Sequence, residues 1–353
     1  MKIFKRERFI NIAFSTGESY SLNSDVESVN ELWEFANANI DNEEAVYYYV
    51  FKTEKTDILE QRIANSDILV QRGASVYMPE VSELSIPKDF VEKILDAEEE
   101  GDEKEVNKYK NFWTLVSLNP DSRVRNNIFW FIRRWDMKIS DSGLIIAYRN
   151  AVLKSSKYSQ EEVKHIINAY YETKYLYKED PYSVQGDNGK SLGEMYDEVV
   201  NGEKSPVYTD QHSHTTEIRL GQPVRIPREE CDAEQEHSCS SGLHVGAKGW
   251  LQRNYFGDVG LQVLVNPVNI VAVPTIDDYG KMRTCEYLPV ALIDFDEDGN
   301  VIEPNINLYN DIQYLSTLKY SGDINNDDID HYEIKTFHDR EDVYDSILKR
   351  LTE

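Results

Sequence analysis

Two segments in which a glycine directly precedes a short apolar run constrain the fold of this chain most. Residues 139–149 read ISDSGLIIAYR, and residues 239–247 read CSSGLHVGA. The pattern is typical of a strand that leaves a tight turn, because glycine adopts the turn conformation at little steric cost. Neither segment contains a standard catalytic motif. We therefore expect two strands that leave tight turns and can carry polar side chains outward.

The charge of the chain limits the classes of partner that it can attract. Its 353 residues include 38 Lys and Arg against 64 Asp and Glu, a net charge of -26. Such a surface repels nucleic acid and anionic lipid at long range, although a local basic patch can still exist. We therefore expect no nucleic acid among its partners, duplex DNA or RNA least of all. The hydrophobic share of 40% is ordinary for a folded protein.

The expected location of the protein is the reducing cytoplasm. No apolar run approaches the length of about 18–20 residues that a membrane-spanning helix needs. The first residues, MKIFKRER, are charged but are not followed by an apolar stretch, so they do not resemble a secretory signal. Three cysteines in a chain of this length do not make a disulfide framework.

The periodicity of apolar residues predicts an α+β protein. We expect a mixed N-terminal unit, a helical linker region and a mainly antiparallel C-terminal domain. The predicted divisions are residues 1–85 for the N-terminal α+β unit, 86–138 for the helical region, 139–320 for the antiparallel domain, and 321–353 for an acidic segment with a final helix.

Local patterns predict individual elements within these divisions. A hairpin is expected over residues 8–22, a helix follows from Asp25 or Ser28, and the β-prone run 45–51 (AVYYYVF) predicts a strand. Two helices are expected on either side of Asn119-Pro120, with Asp121 or Ser122 capping the second. The acidic run 98–105 predicts a solvated loop or helix end, and residues 181–202 predict a polar loop.

Several of these segments together resemble the rIIB-like proteins of tailed bacteriophages. Residues 111–149 contain a helix, an Asn-Pro turn, a second helix ending in Phe131-Ile132, the turn ISDSG and a strand ending in Ala147-Tyr148-Arg149. Residues 239–246 are similar to the family pattern Cys-Ser-x-Gly-Leu-His-Val-Gly. Residues 221–228 (GQPVRIPR) stand where the family has Gly-x-x-Val-x-Met-x-Arg, with Ile226 in place of methionine. The resemblance covers about half of the chain, from residue 111 to 292.

The resemblance implies a phage protein that is made inside the infected bacterium. Proteins of this family are associated with lysis inhibition and with protection from prophage-triggered early lysis. They act with a larger rIIA-type partner that has an ATPase-like domain, and they associate peripherally with the inner membrane. We therefore expect assembly with an rIIA-like protein or with itself in the host cytoplasm, and membrane association through a partner. A capsid-associated role in the virion is the alternative.

One enzymatic alternative rests on four residues. The order Tyr148-Arg149, His244 and Glu286 is similar to that of ADP-ribosyltransferase-like folds. The resemblance implies that Arg149 would hold a phosphate and that Glu286 would stabilise the oxocarbenium-like centre. A serine- and threonine-rich strand of that family is missing. His244 can instead be a structural histidine, hydrogen-bonded to neighbouring backbone or to Tyr148. Because no catalytic constellation is complete, we lean towards a protein without enzymatic activity and expect no cofactor.

A zinc site is a second alternative for the same region. Cys231, His237, Cys239 and His244 lie within fourteen positions, and thiolates and imidazoles are the ligands that zinc prefers. The segment lacks the Cys-x-x-Cys spacing of a zinc finger, so Cys239 can equally be a small buried residue.

Two groups of residues are candidates for binding. Arg133, Arg134 and Trp135 concentrate basic and aromatic side chains at the end of a predicted helix. They can form a contact patch for a partner or a phosphate group, or the arginines can pair with nearby carboxylates. Gly242, Leu243 and His244 form the second group, with Leu243 and His244 expected on opposite faces of a strand.

Overall fold

The computed structural model describes residues 1–23, 25–186, 189–202, 205–211, 213–237, 240–253, 259–274, 280–297, 300–302, 345–347 and 349–351. The chain divides into two compact units, residues 1–79 and 80–353, and each is considered by itself. Both units combine helices with antiparallel strands, so the predicted α+β class is confirmed. The predicted boundaries at 85, 138 and 320 stay predictions.

The first unit is a three-stranded antiparallel meander covered by two helices, followed by a short hairpin. The meander has the predicted hairpin at its centre, and its inner side chains pack against Val29, Leu32 and Val46 of the helices. In chain order its elements are β1 (Lys2–Arg6), β2 (Phe9–Ala13), β3 (Ser19–Asn23), α1 (Val26–Ala38), α2 (Glu43–Asn65), β4 (Val70–Arg72) and β5 (Ser75–Met78).

The strand predicted over residues 45–51 is wrong, because this run lies inside the helix α2. The side chain of Asn42 accepts a hydrogen bond from the backbone N–H of Ala45, and Glu43 and Glu44 occupy the first turn. Val46 and Val50, one turn apart, are buried against the meander. Burial at helical spacing and a strong N-terminal cap therefore outweigh the β-propensity of the tyrosines.

The second unit begins with one strand and three helices. The helices α3, α4 and α5 share an aromatic core in which Phe90 contacts Phe112, Trp113 and Phe129. The helical elements of this unit are α3 (Lys88–Glu99), α4 (Glu103–Ser117), α5 (Ser122–Arg134), α6 (Gln160–Tyr171), a π-helical turn (Glu172–Leu176), α7 (Leu192–Val200) and α8 (Lys248–Arg253).

Apart from the first strand, β6 (Ser82–Ile86), the strands of the second unit form a large sheet in which all the described pairings are antiparallel, as predicted for this domain. The main path runs β10-β15-β12-β7-β11-β14-β13, and the far end of β7 also pairs with β8. The strands are β6 (Ser82–Ile86), β7 (Ile145–Ser155), β8 (Val207–Thr209), β9 (Glu217–Ile218), β10 (Val224–Arg225), β11 (Leu243–Gly246), β12 (Val259–Val265), β13 (Ile270–Ala272), β14 (Lys281–Thr284), β15 (Glu286–Phe295) and β16 (Val301–Ile302).

The turn before β7 brings the sheet into direct contact with the backbone of α4. Gly143 has a φ of +85°, and a β-carbon there would lie 2.5 Å from the carbonyl carbon of Asn111. The amide of Asn111 donates to the carbonyl oxygen of Asp141 over 2.8 Å, which fixes the turn on the helix. Leu115 of α4 then packs with Leu144 and Leu264 in one apolar cluster.

One further sequence prediction is wrong. Residues 192–200 are the helix α7 rather than loop, because Ser191 and Glu194 form a reciprocal capping box at its start. The prediction for the acidic run 98–105 is confirmed, since α3 ends at Glu99 and an exposed break follows before Asp102 caps α4. Of the acidic C-terminal segment, residues 345–347 and 349–351 are described and helical, while 321–344 lie outside the described residues.

Across the described residues, no helix has both the length and the apolar character needed to cross a membrane.

Candidate functional site

The Asn-Pro turn and residues 221–228 converge on one buried turn of the sheet domain. The side-chain amide of Asn119, fully buried, donates to the carbonyl oxygens of Pro267 (2.7 Å) and Ile270 (2.8 Å). Arg228 donates to the carbonyl oxygens of Val268 and Ile270, each over 2.9 Å. Buried carbonyl groups need such partners. These motif residues therefore connect the helices to the sheet rather than present a reactive group.

Glu286 belongs to the same polar network. Its carboxylate is 5% exposed, forms an ion pair with Arg225 on the neighbouring strand β10, and accepts a hydrogen bond from the amide of Asn269 over 3.1 Å. The hydroxyl of Thr284 donates to the carbonyl oxygens of Asn269 and Glu286. In this structure the carboxylate of Glu286 is thus engaged within the sheet.

Beside this network lies a cleft with a volume of about 410 Å³. It is lined by Pro120, Asp121, Ser122, Arg228, Glu229, Cys231, Ala233 and Val271. Asp121 pairs with Arg123 over 2.9 Å, and Arg228 is engaged with backbone carbonyls. Burial alone would raise the pKa of Asp121, but hydrogen bonds from Arg123 lower it overall. The cleft is therefore lined by an ionised carboxylate, by apolar atoms and by a guanidinium that is hydrogen-bonded to backbone carbonyl groups.

The segment Gly242-Leu243-His244 forms the start of β11. Leu243 and Val245 are buried, and His244 is half-buried on the opposite face, so the predicted alternation is confirmed. Gly242 has a φ of +137°, and a β-carbon there would lie 3.4 Å from Arg283 on the paired strand β14. Arg283 is fully buried and donates to the carbonyl oxygens of Asp232, Glu234 and His237. The positive φ favours glycine at position 242, and the buried Arg283 anchors the preceding loop.

The side chain of Arg149, on β7, contacts residues of the strands β11 and β15. One terminal nitrogen donates to the carbonyl oxygen of His244 over 3.2 Å, and its guanidinium lies 5.3 Å from the ring centre of Tyr287. Tyr287 is fully buried, and burial raises the pKa of its hydroxyl. Tyr148, the preceding residue, is buried and pairs with Gly246 and Gln262.

The structure does not bring Arg149 and Glu286 together. Arg149 lies against Tyr287, and consecutive residues of a strand point to opposite faces, so Glu286 faces away from the arginine. These two sequence candidates therefore lie on different sides of the sheet.

The candidate zinc ligands that the structure describes do not converge. Cys231 is buried, its thiol lies 3.7 Å from the carbonyl oxygen of Pro227, and burial raises its pKa to about 11. His237 is exposed and pairs with Asp232 over 2.6 Å. Cys239 lies outside the described residues. Among the residues that are described, no three His, Cys, Asp or Glu side chains are grouped as a metal would require.

At the end of α5, four side chains form what we call the Arg–Trp ladder: Trp130, Arg134, Trp135 and Arg253. The guanidinium of Arg134 lies 5.4 Å from the ring centre of Trp130 and 5.8 Å from that of Trp135. Arg253, from α8, lies 5.3 Å from the ring of Trp135. Both arginines are exposed, and Trp130 is 39% exposed. The ladder is thus a cationic and aromatic surface on a strongly acidic chain.

Glycine at position 280 allows the indole of Trp135 to lie directly on the sheet domain. Its φ is +60°, and a β-carbon there would lie 3.0–3.2 Å from the indole of Trp135. Arg133, the neighbour of the ladder, pairs instead with Asp89 over 2.8 Å. The predicted patch therefore divides, with Arg134 and Trp135 in the ladder and Arg133 in an exposed ion pair. Sequence reasoning missed Arg253 and Gly280, since nothing local links them to α5.

The chain is distantly related to protein rIIB of Enterobacteria phage T4, with 22% identity over 230 residues. The match covers 64% of this chain and 54% of the phage T4 protein, so the chain matches about half the length of that relative. The expected resemblance to the rIIB-like family is thus confirmed at the level of a distant relative. No family model and no solved structure matches the chain.

Proposed function

We propose that this distant relative of protein rIIB is a phage-encoded protein that acts by assembly inside the infected bacterium, in lysis inhibition or in protection from prophage-triggered exclusion. The observation that carries the proposal is the relationship over 230 residues to the phage T4 protein. Assembly, rather than a reaction, also fits the motif residues. Asn119, Arg228 and Glu286 are used to hold elements of the fold together.

The Arg–Trp ladder is the surface that we propose for the partner. Tryptophan and arginine are enriched among the residues that contribute most to protein interfaces, because they combine large apolar area with directional hydrogen bonding. The stacking of Arg134 and Arg253 on the rings restricts both side chains before binding, which lowers the entropy cost of ordering them. An acidic surface of an rIIA-like protein, or of a second copy of this chain, complements these two cations.

The enzymatic alternative receives no support from the geometry. Transferase chemistry of the kind considered above requires the phosphate-binding arginine and the carboxylate to face one substrate. Arg149 and Glu286 lie on opposite faces of β15, and the carboxylate is paired with Arg225. We therefore propose a role without catalysis and without a cofactor.

The proposal can be tested by affinity capture of the tagged chain from phage-infected cells, followed by mass spectrometry. Arg134→Glu and Trp130→Ala alter the ladder, whereas Arg133→Glu makes the same charge change one residue away, at the Asp89 ion pair. We expect an rIIA-like protein or a second copy to be recovered with the unaltered chain and with Arg133→Glu, and to be lost with both ladder variants. Equal recovery with all four chains would remove the ladder from the proposal.

Cell fractionation decides where this assembly takes place. We propose the host cytoplasm, with attachment to the inner membrane through a partner. Recovery in the membrane fraction only when the partner is co-expressed would support that attachment. Detection of the chain in purified virions, together with recovery of capsid proteins, would instead support a virion component and contradict the intracellular role.

A further inference from the structure

The outer face of the N-terminal meander differs in charge from the rest of the chain. The registers of β1, β2 and β3 place side chains in rows across this face. Each row contains one residue from each strand. The rows are Lys2, Ala13 and Ser19, then Phe4, Asn11 and Ser21, and then Arg6 and Phe9, which pair at the backbone with the last residue of β3. The face therefore carries two cations, two phenylalanines and several small polar side chains, and no carboxylate stands in any row, in a chain with 64 of them.

The opposite face of the same strands is apolar and packs against the helices of the unit. Ile10 and Ile12 are fully buried, and Ile3, Tyr20 and Leu22 pack with them against α1 and α2. Because side chains alternate along a strand, the burial of one face leaves the other to solvent. Phe4 is accordingly 51% exposed, and Lys2, Arg6, Ser19 and Ser21 are exposed as well.

On the outer face, a cation and two aromatic rings lie in contact with one another. The guanidinium of Arg6 lies 5.4 Å from the ring centre of Phe4, and the rings of Phe4 and Phe9 meet edge to face at 6.3 Å. The amide of Asn11 donates to the hydroxyl of Ser21 over 2.7 Å and keeps its carbonyl oxygen on this face. A guanidinium plane and phenylalanine rings both stack with nucleobases, and amides bond to base edges.

We propose that this outer face binds single-stranded nucleic acid. Residues two apart on a strand are separated by about 6.7 Å, close to the phosphate spacing of an extended single strand. Lys2 and Arg6 are four residues apart on β1, a separation of about 13 Å, so they can contact two phosphates separated by one intervening phosphate while a base stacks on Phe4 or Phe9. A duplex hides its bases in the stack and cannot use the rings. The net charge of -26 repels nucleic acid at long range. Because added salt weakens the phosphate contacts of the local face, we expect measurable binding only at modest salt.

The experiment is fluorescence anisotropy with labelled U12, dT12 and a 12-base-pair duplex, at about 50 and 200 mM salt, which spans the range over which phosphate contacts weaken. The full chain carries its affinity tag at the C-terminus, so that β1 keeps its first residues. The variants are Phe4→Ala and Arg6→Ala. Arg72→Ala is the matched control, because Arg72 lies 5.3 Å from the ring of Tyr77 on the hairpin β4–β5 of the same unit. Circular dichroism checks that each variant is folded.

We expect the single strands to bind with a Kd of about 10⁻⁵ M at the lower salt. Phe4→Ala should weaken binding about 5- to 50-fold through lost stacking. Arg6→Ala should reduce the salt slope by about 0.7, the loss of one phosphate contact. Arg72→Ala should change the Kd less than twofold. Tighter binding of U12 than of dT12 would favour RNA over DNA as the single strand that this face binds. Equal weakening by Arg6→Ala and Arg72→Ala, equal binding of the duplex, or no binding of either single strand would overturn the proposal.

Discussion

Asn119 and Arg228, which lie in separate segments of the chain, donate hydrogen bonds to the same carbonyl oxygen, that of Ile270. Asn119 belongs to the turn between α4 and α5, and Arg228 follows the sheet strand β10. The shared acceptor, Ile270, is the first residue of β13. The helices and the edge of the sheet are therefore attached at the same point. The two residues come from separate segments of the rIIB-like resemblance. Hydrogen bonds to one shared acceptor thus connect these segments in the fold.

Replacing Asn119 by alanine should destabilise the second unit by about 2–4 kcal/mol, because buried carbonyl groups lose their donor and cannot reach water. The expected loss in melting temperature is about 5–12 °C for a unit of this size. Thermal unfolding followed by circular dichroism measures it. Asn126→Ala, at an exposed position of α5, is the control and should change the melting temperature little. Similar melting temperatures for both variants would show that the Asn119 bonds contribute no net stability.

Gly143→Ala should be far more damaging than Gly101→Ala. Both glycines have positive φ, so both substitutions strain the backbone, by about 1–2 kcal/mol. A β-carbon at Gly101 meets no atom within 4 Å, whereas one at Gly143 would overlap the backbone of α4. We expect a loss above about 4 kcal/mol for Gly143→Ala, or no soluble protein. Chemical unfolding and soluble yield measure the difference, and two equal losses would contradict the close approach.

Cys231 and Cys285 should react slowly with iodoacetamide in the folded protein. Burial raises the pKa of Cys231 to about 11 and that of Cys285 to about 12, which leaves little thiolate at pH 8. Because the thiolate is the nucleophile, alkylation should be at least about 100-fold slower than in urea. Peptide mapping by mass spectrometry gives the rate at each cysteine. Rapid labelling of Cys231 before unfolding would mean that its thiol is open and available to a metal or an oxidant.

The contribution of Asp210 to stability should depend on pH. Burial alone would raise its pKa, but hydrogen bonds from Ser213 and Thr216 and the charge of Arg149 hold the pKa below its ordinary value. A lowered folded-state pKa stabilises the protein above the unfolded value of about 3.9, and this stabilisation is lost as the pH falls through the folded value.

Asp210→Asn should therefore lower the melting temperature at pH 7 by about 3–8 °C, the range for losing hydrogen bonds to a charged group. The difference from the unaltered chain should narrow as the pH falls below about 4. Melting curves at pH 7, 5 and 3 measure it, with the exposed Glu92→Gln as the control for a lost negative charge. A gap that stays constant with pH would show that ionised Asp210 does not stabilise the fold.

Much of the architecture could be predicted from periodicity and turn residues. The hairpin around Gly17, the strand after Gly143 and the helix capped by Asp121 all follow from local preferences that the packing does not override. The run 45–51 could not be predicted from its β-propensity, because the burial of Val46 and Val50 depends on a sheet formed earlier in the chain. The spacing of Ser191 and Glu194, typical of a capping box, could have predicted the start of α7. The polar composition of the surrounding residues indicated a loop instead.

The candidate sites were predicted less well than the elements. A sequence shows that Arg134 and Trp130 are one helical turn apart, but Arg253 joins them only through tertiary packing. It also shows the order of Arg149 and Glu286, but not that they lie on opposite faces of a sheet. Alternation within one strand was correct for Leu243 and His244, because it depends on neighbouring residues alone.

The position of β7 in the sheet has a consequence for how the protein is made on the ribosome. Its long partner is β12, which pairs Ala147 with Val263, and its other partners include Gly246. During synthesis, β7 is complete about a hundred residues before β12 is. The apolar strand β7 therefore stays without its long partner for about 5–20 s at bacterial rates of synthesis. Products truncated before β12 should expose that strand and aggregate.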